Sequence, residues 1–310
     1  MSDRLLRLGT RGSALALAQS GGIAATVIAE LGRHVEMLTV ATAGDLSSAA
    51  ISQIGGTGVF VTALREALLA GEVDFAVHSY KDLPTAAAPG LVIAAVPQRQ
   101  DPRDVLVARD GLTLAELPSG ARIGTGSPRR TAQVLGLGLG HELVPIRGNV
   151  DTRIGKVRSG QVDAVILARA GLALLDRLGD ATEVLDPLTV LPAPAQGALA
   201  IECRSDDDEV VALLAALEDP DSRTAVDAER ALLAHLEAGC TAPVGALALV
   251  SEGDDGLELY LRGLVAALDG TDAVRLSATG PTSEAEGVGR RLAAELLDLG
   301  AADLMGVTRA

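Results

Sequence analysis

Two short segments of this 310-residue chain each occur twice, in the same order. Arg7-Leu8-Gly9-Thr10-Arg11-Gly12-Ser13 is echoed by Arg122-Ile123-Gly124-Thr125-Gly126-Ser127. Gly71-Glu72-Val73-Asp74-Phe75-Ala76-Val77 is echoed by Gly160-Gln161-Val162-Asp163-Ala164-Val165-Ile166. A short apolar strand that runs into a Gly/Ser turn and then a helix, followed later by a second apolar strand, is an α/β unit. The echo therefore predicts two similar α/β lobes. The interval between the paired segments differs between the copies, which excludes a regular solenoid.

In the first copy, 5–9 reads as a buried strand with Arg11 in the turn at its carboxyl end, the place where open α/β sheets bind ligands. Ser13 is the expected N-cap of an Ala/Leu-rich helix over 14–31. A Gly, Ser, Ala and Thr stretch at 42–58 reads as a loop and 59–70 as a helix. The strand 75–78 runs into Ser79-Tyr80-Lys81-Asp82-Leu83-Pro84, where Pro84 disfavours helix at Leu83 and leaves Lys81 and Asp82 on an irregular strand end. These two are either a surface pair or, in a cleft, a general acid/base with a cationic neighbour. His78 reads as structural.

The strand 198–204 is assigned back to the first lobe, because the two connectors 97–102 and 192–197 are what a two-crossing hinge requires. The first lobe is then 1–97 plus 198–217 and the second 103–191. From 219 a helix capped by Ser222 runs through Ala238 to Gly239. Three strands (244–250, 257–264, 273–278) and a helix (283–299) complete a third, α+β domain over 219–310. If the strand-end turns of the two lobes face each other, Arg11, Ser13, Lys81 and Asp82 line one wall of a cleft. Ser127, Arg129, Arg130, Arg147 and Arg153 line the other.

The whole chain carries a formal net charge of -15, yet residues 121–158 hold Arg122, Arg129, Arg130, Arg147, Arg153, Lys156 and Arg158 against only Glu142 and Asp151. These arginines stand in turn-like contexts, and a cluster of them reads as a site for several carboxylates or phosphates, or as solvated surface charge. A pI near 4.7 and only Phe60, Phe75, Tyr80 and Tyr260 as aromatics argue against nucleic acid. Cys203 and Cys240 make neither a disulfide framework nor a metal site. Cys203 sits in an apolar strand and reads as structural. Cys240 follows a helix C-terminus, where the dipole raises a thiol pKa, so it is either a small turn residue or a slowly reacting attachment point. With no signal-like N-terminus and no apolar run near the roughly 20 residues that span a bilayer, the expectation is a cytoplasmic protein with no membrane partner.

Six motifs carry a resemblance across nearly the whole chain. They are Arg11-Gly12-Ser13-Ala14-Leu15-Ala16, His78-Ser79-Tyr80-Lys81-Asp82-Leu83-Pro84, Asp101-Pro102-Arg103-Asp104, Gly124-Thr125-Gly126-Ser127-Pro128-Arg129-Arg130, Arg147-Gly148-Asn149-Val150-Asp151-Thr152-Arg153 and Glu237-Ala238-Gly239-Cys240. In type and order the chain resembles the porphobilinogen deaminases, also called hydroxymethylbilane synthases. The resemblance implies two periplasmic-binding-protein-like α/β lobes with an active-site cleft between them, plus a C-terminal α+β domain with a three-stranded antiparallel sheet. It implies a monomeric transferase of porphyrin biosynthesis that joins four porphobilinogen molecules, with loss of ammonia, into hydroxymethylbilane on a dipyrromethane cofactor in thioether linkage to Cys240.

By position, the resemblance makes Asp82 catalytic and assigns Lys81, Ser127, Arg129 and Arg130 to the cofactor. Arg11, Ser13, Gln19, Phe60, Arg147, Arg153 and Gln196 go to the substrate. Thr57 and Thr62 stand where many members have lysines, and Gly126-Ser127-Pro128 replaces a more usual Ser-Ser-Leu. A binding protein for a small polyanion would share the lobes and arginines but has no use for Asp82 and Cys240. A nucleic-acid module conflicts with the acidity.

Overall fold

The computed structural model describes residues 4–40, 61–238, 242–253 and 256–305. Thr57, Phe60, Cys240 and the loop read at 42–58 lie outside the described residues. The chain divides into two compact units, 1–99 with 198–223, and 100–197 with 224–310.

The elements run β1 (Leu6–Thr10), α1 (Ala14–Leu31), β2 (Val35–Thr39), α2 (Thr62–Leu69), β3 (Phe75–Ser79) and β4 (Leu91–Ala95). Next come β5 (Asp104–Ala108), β6 (Arg122–Thr125), α3 (Pro128–Leu135), β7 (Glu142–Pro145), α4 (Val150–Arg158), β8 (Ala164–Ala168), α5 (Arg169–Leu174) and β9 (Glu183–Val184). The chain returns through β10 (Leu199–Arg204), α6 (Asp208–Leu214) and α7 (Pro220–His235). It ends with β11 (Val244–Gly253), β12 (Gly256–Ala266), β13 (Ala273–Pro281), α8 (Ala285–Asp298) and α9 (Ala301–Leu304).

The first unit is built on a five-stranded sheet in the order β2-β1-β3-β10-β4. Here β1 runs parallel to β2 and β3, while β10 is antiparallel to β3 and β4. The second unit holds a sheet in the order β7-β6-β8-β5-β9, with β6 parallel to its two neighbours and β5 antiparallel to both of its own. The two sheets match strand for strand. The second unit also holds the three-stranded antiparallel sheet β11-β12-β13, whose core residues Leu259, Leu261 and Val265 cluster with Val288, Leu292 and Leu296 of α8.

The echo in the sequence has a physical cause. In the first unit the Asp74 carboxylate accepts from the Arg7 backbone N–H at 2.8 Å, and the Asp74 N–H donates to the Arg7 carbonyl at 2.8 Å. The Arg7 guanidinium reaches the Gly71 carbonyl at 2.8 Å and Asp74 Oδ1 at 3.0 Å. In the second unit Asp163 accepts from the Arg122 N–H at 2.7 Å, its own N–H donates to Arg122 at 2.8 Å, and the Arg122 guanidinium reaches Gly160 at 2.9 Å. The same arginine-aspartate staple thus ties each first strand to its parallel neighbour. Gly71 and Gly160 sit at φ 70° and 71°, where a side chain would be strained.

Three details depart from the sequence reading. Helix α1 has 18 residues and is, by length and composition, apolar enough to cross a bilayer, contrary to expectation. Its Ile23, Ala24 and Val27 pack with Leu6, Leu8, Phe75 and Val77, so part of that apolar character belongs to the core of the sheet. Helix α7 ends at His235 and is capped by Asp219, which accepts from the Ser222 N–H at 2.8 Å. Pro220 lies at the start, where its missing N–H costs nothing. Ser222 instead accepts from the Arg99 N–H at 2.9 Å. Helix α6 is capped by Asp207, which accepts from the Val210 N–H at 3.3 Å, and Asp208 and Glu209 stand in its first turn, where the macrodipole favours acids.

Asp74 is fully buried and pairs with Arg4 as well as Arg7. Burial pushes its carboxyl up, but the Arg7 hydrogen bonds and the Arg4 charge outweigh this and hold it below the usual carboxylate range. A carboxyl depressed on folding stabilises above its unfolded value, about 3.9, and loses that contribution as pH falls through the lower folded value. Asp74→Asn should therefore cost about 1–3 kcal/mol near pH 7 in a thermal or urea melt. The gap to the parent should narrow as the pH drops below about 4. A gap that stayed constant down to pH 3 would show that the charge is not its source.

Candidate functional site

Neighbouring parallel strands end on the same edge of a sheet, so the carboxyl ends of β1 and β3 bring their turns together. Ser13 caps α1 by accepting from the Ala16 N–H at 3.3 Å, and half-buried Arg11 stands in the turn before it. From α1 the Gln19 amide donates to Ser79 Oγ at 2.9 Å, at the end of β3. The chain then closes a 3-10 turn over Tyr80–Asp82, fixed by the Tyr80 N–H on the Ala198 carbonyl at 3.0 Å and by buried Tyr80 and Leu83. That turn leaves Asp82 exposed and Lys81 half-buried.

Beneath the turn, His78 Nε2 lies 3.2 Å from Glu202 Oε2, and Arg65 grips the same carboxylate at 2.8 and 3.1 Å. Glu202 is buried, which alone would raise its pKa; the contacts with His78 and Arg65 outweigh that and lower it. His78 is thus structural, and the strand end that carries Lys81 and Asp82 is anchored from behind.

In the second unit the equivalent turn after β6 caps its helix in the same way but carries its arginines inside that helix. Ser127 caps α3, accepting from the Arg130 N–H at 3.4 Å, and Pro128 fills the first helical position. Arg129 and Arg130 therefore stand in the first turn of a helix, not in a loop, and are only 3% and 6% exposed. The expectation of turn arginines is corrected here, and the cause is Asp104 on β5, which is 0% exposed.

One Asp104 oxygen takes Arg129 Nη2 at 2.8 Å, and the other takes Arg130 Nη2 at 2.7 Å and Gln196 Nε2 at 2.7 Å. Arg129 Nη1 also donates to the Leu191 carbonyl at 2.6 Å, Arg130 Nη1 to Ile166 at 2.9 Å, and the Gln196 amide to Pro102 at 2.7 Å. Asp104, although buried, is held ionised well below the ordinary range by the two guanidiniums. Burial acts on Arg129 in the opposite sense to Asp104 and leaves its pKa lowered.

Arg153 also lies in a helix, α4, where its Nε donates to the Gly148 carbonyl at 2.8 Å. Asn149 caps that helix on the Thr152 N–H at 2.9 Å, and exposed Arg147 immediately precedes the cap. Burial lowers the Arg153 pKa, and repulsion from Arg130 and Arg147 lowers it further. Arg153 thus stands with Arg130 and Arg147 in a partly desolvated, positively charged patch. Such a patch is suited to hold several carboxylates.

Asp104 belongs to the Asp101-Pro102-Arg103-Asp104 motif, which by itself gives the residue no role. The available signal was an acid heading the apolar run Val105-Leu106-Val107-Ala108, where an unpaired carboxylate would be untenable. Of the two cysteines, Cys203 is fully buried in β10, and burial with nearby Asp207 pushes its thiol up to about 11. Among the described residues, no group of three or more His, Cys, Asp or Glu could hold a metal.

Two family models match the chain: "porphobilinogen deaminase, dipyromethane cofactor binding domain" over residues 6–212, and "porphobilinogen deaminase, C-terminal domain" over 223–298. The porphobilinogen deaminase of Mycolicibacterium paratuberculosis is 57% identical over 310 residues, covering 98% of each chain. Porphobilinogen deaminase 1 of Streptomyces coelicolor is 58% identical over 315 residues and 99% of each chain. That of Mycobacterium tuberculosis is 58% identical over 306 residues, 97% of this chain and 98% of the relative.

Among solved structures, a periplasmic substrate-binding protein of an ABC transporter from Coxiella burnetii aligns with TM-score 0.44 at 16% identity over 71% of this chain and 94% of its own. A putative methionine-binding lipoprotein from Bacillus subtilis aligns at 0.43 and 16% over 69% and 89%. With two family models spanning both units and near-full-length relatives above half identity, this chain belongs to the porphobilinogen deaminase family.

Proposed function

We infer that the chain carries out the reaction of its family: four porphobilinogen molecules are joined head to tail on a dipyrromethane primer, each losing ammonia, to give hydroxymethylbilane. The observation that carries this reading onto particular residues is the cation patch of the second unit. Each pyrrole brings an acetate and a propionate, so a dipyrromethane presents four carboxylates. Arg153 is half-buried and feels the charges of Arg130 and Arg147, so a carboxylate placed among the three would offset that repulsion. The residues present fit the group.

Arg129, Arg130, Ser127 and Lys81 are proposed to hold the cofactor. Arg11, Ser13, Gln19, Phe60, Arg147 and Arg153 are proposed to hold the substrate, with Gln196 acting from behind Asp104. Cys240 is proposed as the thioether link, and support comes from the other cysteine: Cys203 is sealed in a strand with its thiol pushed away from the reactive thiolate. When bound, the primer supplies the nucleophilic pyrrole carbon. Asp82, exposed at the end of β3, would stabilise the cationic pyrrole left when ammonia departs and take the proton released from the new ring.

The division into lobes 1–97 plus 198–217 and 103–191, with a C-terminal domain 219–310, is likewise proposed. Separate sheets and separate core clusters within the second unit support it. So is a cytoplasmic monomer that binds neither nucleic acid nor membrane.

The intact mass of the purified protein tests the reading. An adduct of two pyrrole units should be present in the parent, absent in Cys240→Ala and kept in Cys203→Ala; retention in Cys240→Ala would overturn the link. Asp82→Asn keeps size but removes charge, so it should carry the adduct yet lose roughly 10²-fold or more in turnover. Activity within a few-fold of the parent would assign the chemistry elsewhere.

Arg153 separates binding from folding. Arg153→Leu removes a repelled cation and one hydrogen bond to Gly148, so stability should change by less than about 1 kcal/mol. The KM for porphobilinogen should rise roughly tenfold, as expected for a lost charge-assisted contact. An unchanged KM would make Arg153 a merely structural residue.

A further inference from the structure

We propose that Asp104 is a positioning residue for cofactor binding, which holds Arg129 and Arg130 side by side while cancelling only one of their two charges. The proposal rests on the reading of this patch as the cofactor site. Two costs in the structure point to it. First, a buried carboxylate paired with one guanidinium would be neutral, whereas here two nearly buried guanidiniums share one carboxylate and leave a net positive charge in a region poor in water. Second, both arginines stand in the first turn of α3, where the helix macrodipole opposes cations. A network built only for stability would avoid both. An anionic ligand offsets both at once.

The surroundings of Asp104 are arranged to fix its carboxylate. Gln196 supplies a third donor at 2.7 Å, and its neighbours Ala195 and Gly197 both take left-handed backbone, at φ 60° and 86°. A side chain at Gly197 would meet the Gln100 carbonyl at 2.5 Å, so only glycine lets the chain pass so close. The strained Ala195 N–H is in turn held by Glu229 of α7, at 2.6 Å, whose other oxygen takes the Ala248 N–H of β11 at 2.8 Å. The carboxylate therefore has no freedom to follow one arginine and release the other. Each guanidinium spends one Nη2 bond on Asp104 and one Nη1 bond on a carbonyl, out of five N–H groups, and is turned by those two bonds into a fixed plane.

The test is the fraction of protein that carries the two-pyrrole adduct after incubation with porphobilinogen, read by intact mass, with circular dichroism as the check on folding. Asp104→Asn should fold and load roughly tenfold less, the loss typical of removing a partner that orients a primary contact. Because Asp104 acts through the arginines, adding Asp104→Asn to Arg130→Leu should lose less than the product of the two single effects. Full multiplication of the two losses would place Asp104 in some other role and overturn the proposal, as would a folded Asp104→Asn that loads like the parent. If Asp104→Asn does not fold, Asp104→Glu carries the test. It keeps the charge but sets it one methylene away, and parental loading and KM in that variant would overturn the proposal. A parent that itself shows no two-pyrrole adduct would instead sink the reading of the site.

Discussion

The arrangement on which this molecule turns is a buried carboxylate that serves two guanidiniums. Asp104 alone would be untenable at the head of a fully buried strand, and two arginines alone would repel at the start of a helix. Together they tolerate burial but leave a positive excess. That excess is continued by Arg153, whose pKa is lowered by burial and by its neighbours Arg130 and Arg147. The fold carries this through positions far apart in sequence, since Asp104 lies on β5, the arginines on α3 and Gln196 on the segment that precedes β10. Loss of any one changes what the others face.

The two-lobed α/β plan was legible because a repeated requirement leaves a repeated phrase. A Gly-X-Val-Asp segment precedes β3 and β8 because a left-handed glycine must lift the chain out of the helix and an aspartate must take the backbone N–H of the first strand. Those needs are identical in both sheets. Periodicity did not give the strand order. That β10 sits between β3 and β4, and β5 between β8 and β9, depends on pairing between segments distant in sequence, which no local pattern encodes. The helix starts were readable where a cap had a single candidate, as at Ser13. They were misread at α7, where Asp219 and Ser222 compete and Pro220 decides for the earlier residue.

In the site, what sequence showed was set by strand ends. Arg11 and Ser13 follow β1 as read, whereas Lys81 and Asp82, read as an irregular strand end, close a 3-10 turn after β3. Arg129 and Arg130 were assigned to the cofactor by resemblance but taken for turn residues, since Gly-Ser-Pro announces a turn and a helix start equally well. Only the position of Asp104 decides that their side chains turn inward. The third donor, Gln196, was named from resemblance alone; its contact with Asp104 requires left-handed backbone at Ala195, a conformation that alanine does not advertise.

The overall acidity and the local cations act over different distances. A chain of net charge -15 repels an anionic pyrrole at long range, but at physiological ionic strength that field is screened within about 8 Å. Capture must then come from contact. At about 4 Å a unit charge pair is worth about 1 kcal/mol in bulk water and about 4 kcal/mol at an effective dielectric near 20, so partly desolvated arginines bind what solvated ones would not. The desolvation that disfavours the charge of Arg153 would equally strengthen its pairing with a carboxylate. Selection follows from the same geometry. A single carboxylate would offset only part of the repulsion that Arg153 feels from Arg130 and Arg147, whereas a ligand that brings several carboxylates on one frame would offset more of it at one entropic cost.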